Sequence, residues 1–245
     1  MAPRSASARK KVTRPEKPAL KRARPPRPSS TEDGDAVISL RKTAYDEIKH
    51  RIITCMFKPG EYINELQLSA ILKIGRTPVH QALDRLMLEG MVEVIPRKGV
   101  IVKPLTLNEV LQIIEIRLIN ESYCARLAAE RADSSEIAEL TDVLSRAKHW
   151  ISMRDVEQMM LLDREFHSIV ARAGKNEVLA DLLLRLHERS LRFWFISLNE
   201  PSQFEGVQKE HQAILAAIKA HQPNEAEKAM RAHIESFRSN VTRFL

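Results

Sequence analysis

From Thr106 onward the chain carries apolar residues at helical spacing, with short breaks and no convincing strand. One periodicity kept over that length excludes a sheet-based architecture for this half and implies an all-α antiparallel helical bundle. Thr106 and Glu109 have capping-box spacing ahead of a helix to about Arg131. Further helices are expected at roughly 135–150, 154–173, 177–198, 203–221 and 224–243, the last opening on Asn224 and Glu227 at the same spacing.

The part before it mixes periodicities. Thr43 with Asp46 resembles a cap, so order should begin near Thr43, and Tyr45, Ile48 and Ile52 give a helical stripe. Pro59-Gly60 breaks it, and Tyr62-Ile63 suits a short strand. Asn64 and Gln67 open a second helix with Leu68, Ile71 and Leu72 on one face, and Lys73-Ile74-Gly75 makes the turn. Thr77-Pro78 opens a third, with Pro78 at the first helical position and Val79, Ala82, Leu83 and Leu86 inward. After Gly90, two β-rich runs flank Pro96-Arg97-Lys98-Gly99. Three helices and a hairpin with a basic tip imply a winged helix-turn-helix over residues 37–104, with Lys103-Pro104 as hinge into a second domain over 105–245. The fold class is therefore mainly α.

Charge separates the same parts. The chain is +7 overall. Residues 1–28 hold ten Lys or Arg against Glu16, residues 37–104 eleven basic against seven acidic, and residues 105–245 eighteen against twenty-one. Only the first half is suited to meet a polyanion. Residues 1–36, with six prolines and almost no large apolar side chain, read as a disordered basic tail, either a solvated tail or an arm that adds non-specific attraction to DNA phosphates. No run approaches the roughly 20 apolar residues of a membrane span. Cys55 and Cys124 form no framework and read as free thiols in a reducing cytoplasm.

With the third helix buried through Val79 and its partners, Thr77, His80, Gln81, Asp84 and Arg85 face outward, and Arg76 projects just before it. Any surface helix carries such residues, but a recognition helix needs donors and acceptors here. Arg76 can fork onto guanine O6 and N7, Gln81 can pair with an adenine edge, and Thr77 at the helix start can hold a phosphate. Arg97 and Lys98 suit the DNA backbone or minor groove, with Gly99 allowing close approach.

Lys58-Pro59-Gly60-Glu61, Gly75-Arg76-Thr77-Pro78-Val79-His80-Gln81-Ala82-Leu83 and Leu88-Glu89-Gly90-Met91-Val92 resemble, in order and spacing, the signature of GntR-family regulators. The family usually reads Ser-Arg-Thr-Pro-Val-Arg-Glu-Ala-Leu. Here Gly75, His80 and Gln81 replace the Ser, second Arg and Glu, and Leu66 stands where an Arg is common in the second helix. The resemblance implies DNA binding at an operator different from the family's common one.

Three histidines of the second half sit on apolar faces. His167 follows Asp163 by four residues beside Phe166, Ile169 and Val170. His211 aligns with Val207, Ile214 and Ile218, and His233 with Met230, Ile234 and Phe237. Each alone reads as a hydrogen-bonded core residue. Left unpaired, each would cost roughly 1–3 kcal/mol, whereas one shared divalent metal would satisfy all three with Asp163. Asp163-x-x-Phe166-His167 with Asn176 following, Glu210-His211-x-x-Ile214-Leu215 and Met230-Arg231-x-His233 resemble the metal motif of the FCD-type effector domain in the FadR branch of that family. The resemblance implies one divalent transition metal per subunit (zinc, nickel or manganese) on Asp163, His167, His211 and His233.

Arg117 and Glu121 lie four apart on the face of Val110, Ile113 and Cys124. They read either as a buried ion pair or, as the resemblance favours, with Arg117 facing a carboxylate effector. His187 and Arg192 are candidates for the same cavity, with a surface location equally open, while Phe193, Trp194 and Phe195 suit core packing or a subunit contact. The combined expectation is a cytoplasmic, dimeric repressor on a pseudo-palindromic operator, answering to a small carboxylate. A metal-dependent hydrolase fused to a DNA-binding module is the alternative, but there is no nucleophile elbow, P-loop or dinucleotide fingerprint, and Glu210 should turn away from His211. A non-specific DNA-coating protein is the third reading.

Overall fold

The computed structural model describes residues 30–104, 106–197 and 201–242. Helix α1 (Ser30–Ile53) leads to strand β1 (Tyr62–Ile63), α2 (Glu65–Leu72), α3 (Arg76–Leu88), β2 (Val92–Ile95) and β3 (Gly99–Val102). Six helices follow: α4 (Leu107–Arg131), α5 (Ser134–Met153), α6 (Val156–Ala173), α7 (Glu177–Ser197), α8 (Pro201–Lys219) and α9 (Pro223–Thr242). The described part is mainly helical, with a winged helix-turn-helix ahead of a helical bundle.

In the first module α1 lays Tyr45, Ile48 and Ile52 against Val79, Leu83 and Leu86 of α3, all buried. Asn64 caps α2 by accepting from the amides of Leu66 and Gln67. Lys73, in a left-handed conformation, ends α2 and lets Ile74 turn inward. The sheet is antiparallel in the order β1-β3-β2, with Ile63 opposite Val100 and Val92 opposite Val102. At the wing tip Gly99 has φ +103°, and a Cβ there would meet nothing within 4 Å. A glycine there suits the turn's left-handed backbone conformation.

Several local expectations are corrected. Helix α1 begins at Ser30 instead of Thr43, so residues 30–36, placed in the disordered tail, are helical; residues 1–29 lie outside the described part. Thr43 is mid-helix, its hydroxyl donating to the carbonyl of Ser39. Gly75 is the cap of α3, so Arg76 is its first residue and Pro78 its third, still in the turn that needs no amide donor. Ile71 is exposed. Asn224 lies inside α9, where its side chain and Glu227 accept from Arg126 of α4. Thr106 accepts from the Glu109 amide, but the Glu109 carboxylate goes to Lys103 and Arg189.

In the bundle α4 is the axis, packed against α6, α7, α8 and most extensively α9. Asp133 and Glu136 form a full capping box at the start of α5, and Asp155 caps α6. Phe166, Ile214, Met230 and Ile234 line the core around α4. Phe193 packs on its edge, while the side chains of Trp194 and Phe195 lie outside the described residues.

Candidate functional site

The histidines converge. Asp163 and His167 from α6, His211 from α8 and His233 from α9 are all buried, and one ligand atom from each lies within 4.8 Å of the others. The Nε2 atoms of His167 and His233 are 3.2 Å apart. Asp163 Oδ1 is 3.5 Å from His211 Nε2 and 4.0 Å from His167 Nε2. The rings pack closely, with His211 stacked on Phe166 at 4.2 Å.

Carboxylates stand behind two of the rings. Glu210 Oε2 is 2.8 Å from His233 Nδ1 and Glu121 Oε2 is 2.7 Å from His167 Nδ1. A proton held on each Nδ1 leaves both Nε2 lone pairs facing one another, which repel unless a cation lies between them. The buried His211 Nε2 at the same place has no hydrogen-bond partner. Nitrogens held at about 2.1 Å by one ion lie within about 4.2 Å of each other, so these spacings fit a divalent metal.

Burial alone would raise the Asp163 carboxyl, but His187, His167 and His211 together hold it far below the usual range. Burial would likewise raise Glu121, and Arg117 with His167 and His187 holds it well below. His187 is pushed down to about 4 by burial and by the charges of His167 and Arg117. It is a neutral imidazole near pH 7.

Arg117 is both an ion pair and a cavity residue. Its Nε donates to Glu121, Nη1 to Ser190 Oγ at 2.8 Å and Nη2 to His187 Nδ1 at 3.0 Å. His187 Nε2 is 3.2 Å from Asp163 Oδ2, so α7 joins the cluster. His187 is thus buried, not at the surface. Beside it a cavity of about 190 Å³ is lined by Glu121, His167, His187 and apolar side chains including Val170 and Leu183. Asn176 and Arg192 stand apart from the cluster. The Asn176 side chain is exposed and accepts from the Leu179 amide at the start of α7. Arg192 is buried, but against the linker, donating to the Lys103 carbonyl. Glu210 does turn away from His211, yet it faces His233. Its adjacency to His211 in sequence hid that role, because the partner helix α9 is what brings His233 to it.

The first module presents Arg76, Thr77, His80, Gln81 and Arg85 on the exposed side of α3, and Arg97, Lys98 and Gly99 at the exposed wing tip. No side chain caps the first turn of α3 and no acidic residue stands in it. His80 lies between Glu65, 3.1 Å away, and Asp84 at 3.7 Å. The hydrogen bond with Glu65, then the charge of Asp84, raises its pKa. Arg85 pairs with Glu89 and lies over the Tyr45 ring at 3.7 Å.

A winged helix with an open reading face, followed by a helical bundle with a buried polar site, defines a DNA-binding regulator with an internal ligand-sized site. The family models agree: "Bacterial regulatory proteins, gntR family" matches residues 40–102, and "FCD domain" matches residues 112–236. The chain belongs to the GntR family of transcriptional regulators, in its FCD branch, and is not an enzyme. It is 37% identical over 137 residues to the Nta operon transcriptional regulator of Aminobacter aminovorans, which covers 56% of this chain and 64% of that protein. It is 23% identical over 197 residues to the transcriptional repressor RspR of Escherichia coli, covering 80% and 86%. In fold it is similar to Escherichia coli McbR/YncC, with a TM-score of 0.77 at 21% identity over 84% of this chain and 98% of that one. A GntR regulator from Rhodococcus gives 0.73 at 18% identity, over 84% and 99%.

Proposed function

We propose that the protein is a homodimeric, sequence-specific repressor whose buried site holds one divalent metal and receives a small carboxylate. The observation that carries the metal is the facing pair of Nε2 atoms on His167 and His233, each backed by a carboxylate on Nδ1. Asp163, His167, His211 and His233 would hold the ion. Bound there, it would supply a Lewis-acidic centre to which a carboxylate oxygen can coordinate. The chain's own part is to orient that anion. Arg117 supplies fixed positive charge beside the cluster, its guanidinium held in place by Glu121, Ser190 and His187. Neutral His187 keeps a nitrogen against Asp163, and Val170 and Leu183 keep the cavity wall dry.

DNA reading rests on the exposed face of α3 and the wing tip. Arg76 and Gln81 would read bases, while Thr77, His80, Arg85, Arg97, Lys98 and Gly99 would meet the backbone or groove edges. A two-fold dimer fits the outward stripe of Ile116, Ile119 and Tyr123 on α4, beside Val178 and Leu182 of α7, all exposed and apolar. A pseudo-palindromic operator follows from that symmetry, and the repressor role is that of the relative RspR. No described helix is long and apolar enough to cross a membrane, in keeping with a cytoplasmic setting. Elemental analysis of the purified protein tests the reading, with about one divalent ion per subunit expected. Absence of metal, together with unchanged binding of small carboxylates in His233→Ala, refutes it.

A further inference from the structure

Helix α7 faces two ways within six residues. His187 and Ser190 point into the buried cluster, while Glu188 points to the first module, Arg192 to the linker, and Arg189 to Glu109 at the start of α4. Helix α6 repeats this on consecutive positions, because Asp163 belongs to the cluster and Arg164 pairs with Glu188, Nε to Oε1 at 2.9 Å.

Glu188 is only 1% exposed, and its other oxygen is paired with Lys49 of α1, itself 7% exposed. Lys49 Nζ also reaches Tyr45 Oη at 2.5 Å and Glu89 Oε2 at 3.1 Å. Glu89 closes α3 and holds Arg85 on its outer face. A continuous set of ionic contacts therefore runs from the residue next to His187 to the DNA-facing helix. One buried lysine is its junction. Charges this far out of water are retained only when paired, and removing one leaves its partner stranded. Without Lys49, the carboxylates of Glu188 and Glu89 would face one another with no cation between them.

We propose that Lys49 and Glu188 are a positioning pair that fixes the first module against α7, and through which occupancy of the buried cluster alters the placement of α3. The second half of this rests on the metal reading above. Glu188 shares a helical turn with His187, and Arg164 with Asp163, so a shift of α6 against α7 at the cluster displaces the Glu188 carboxylate and its Arg164 partner relative to Lys49. A carboxylate of α7 held from α6 on one side and from α1 on the other transmits that shift as a change of docking, because packed interfaces yield by steps and not by gradual deformation. Lys49 was hidden in the sequence as a single polar residue four positions beyond Tyr45, on the edge of an otherwise apolar stripe.

The test uses the full chain and a DNA duplex selected from a random pool by the parent protein, with zinc and EDTA as probes. In the parent, affinity for that duplex should differ by roughly fivefold or more between the zinc-loaded and chelated states. In Lys49→Met and in Glu188→Gln the difference should fall below about twofold, with zinc content unchanged, and the double variant should resemble either single one. Lys49→Arg, which keeps the charge, should retain the response, whereas a purely structural role would lower thermal stability and leave the zinc ratio intact. A parent-like zinc ratio in both single variants overturns the proposal. If the parent holds no zinc, the metal reading fails separately. The pair is then judged by the affinity cycle alone: non-additive losses of DNA affinity support it, and independent, additive effects overturn it.

Discussion

The winged-helix module keeps its functional side chains outside an apolar core, whereas the bundle keeps them inside. On α3, Arg76, Thr77, His80 and Gln81 are solvated, with His80 set between Glu65 of α2 and Asp84. In the bundle, Arg117, Glu121, Asp163, His167, His187, His211 and His233 are all buried. Solvated groups add little to stability in either direction, so DNA specificity can change there without touching the fold. Buried ones carry a desolvation penalty that must be offset, so any ligand taken up at that site would be coupled to folding. The difference teaches where recognition can vary freely: at the surface of the first module, and not in the second.

The largest effect expected from that contrast is in the bundle. His233→Ala should abolish metal retention, measured by elemental analysis. It should also remove the metal-dependent rise in stability, which for a parent that binds one ion should be about 2.7 kcal/mol at a hundredfold excess over Kd. A variant that keeps both would erase the contrast. Arg76→Ala should weaken binding to the selected duplex by roughly 1–3 kcal/mol while leaving the thermal unfolding midpoint unmoved. A fall in that midpoint, measured by calorimetry without DNA, would show that α3's outer face is not independent of the core.

Glu210→Gln should lower metal affinity about tenfold, since it backs His233 and its own side chain is 27% exposed. Competition against a metal-binding dye reads this directly. The smallest effect concerns His80, whose pKa is raised by Glu65 and Asp84. A raised pKa means the charged form persists to higher pH, so its attraction to DNA is complete below about pH 6.5 and fades as pH rises through the shifted value. Duplex affinity should therefore fall by less than about fivefold across that window and flatten in His80→Gln. A pH response surviving in His80→Gln assigns the titration elsewhere.

The same contrast governs what could be read beforehand. The first module was legible because its signals are local: Pro59-Gly60, Thr77-Pro78 and Gly99 fall within a few residues of what they shape. The clustered histidines were legible because a histidine on an apolar helical face is out of place. What stayed hidden depended on partners brought from afar. Nothing near Glu210 indicates that α9 will set His233 against it. Arg192 and His187 lie on the same helix and look alike in sequence, yet one meets the linker carbonyl of Lys103 and the other the Asp163 carboxylate. The early start of α1 was missed because apolar periodicity begins only near Tyr45.

The pairing of α4 with α9 also sets an order of assembly. Ribosomal synthesis releases about 5–20 residues per second, and segments fold as their partners emerge. All the strands and helices of the winged-helix module lie before Lys103, so that module can close its core while the bundle is still being made. The bundle waits, because α4 lacks its main packing partner until α9 has left the ribosome, and His233 arrives with it. A nascent chain therefore owns a DNA-reading surface before it owns a sensor, and chains that stall before Pro223 would be regulators with nothing to answer to.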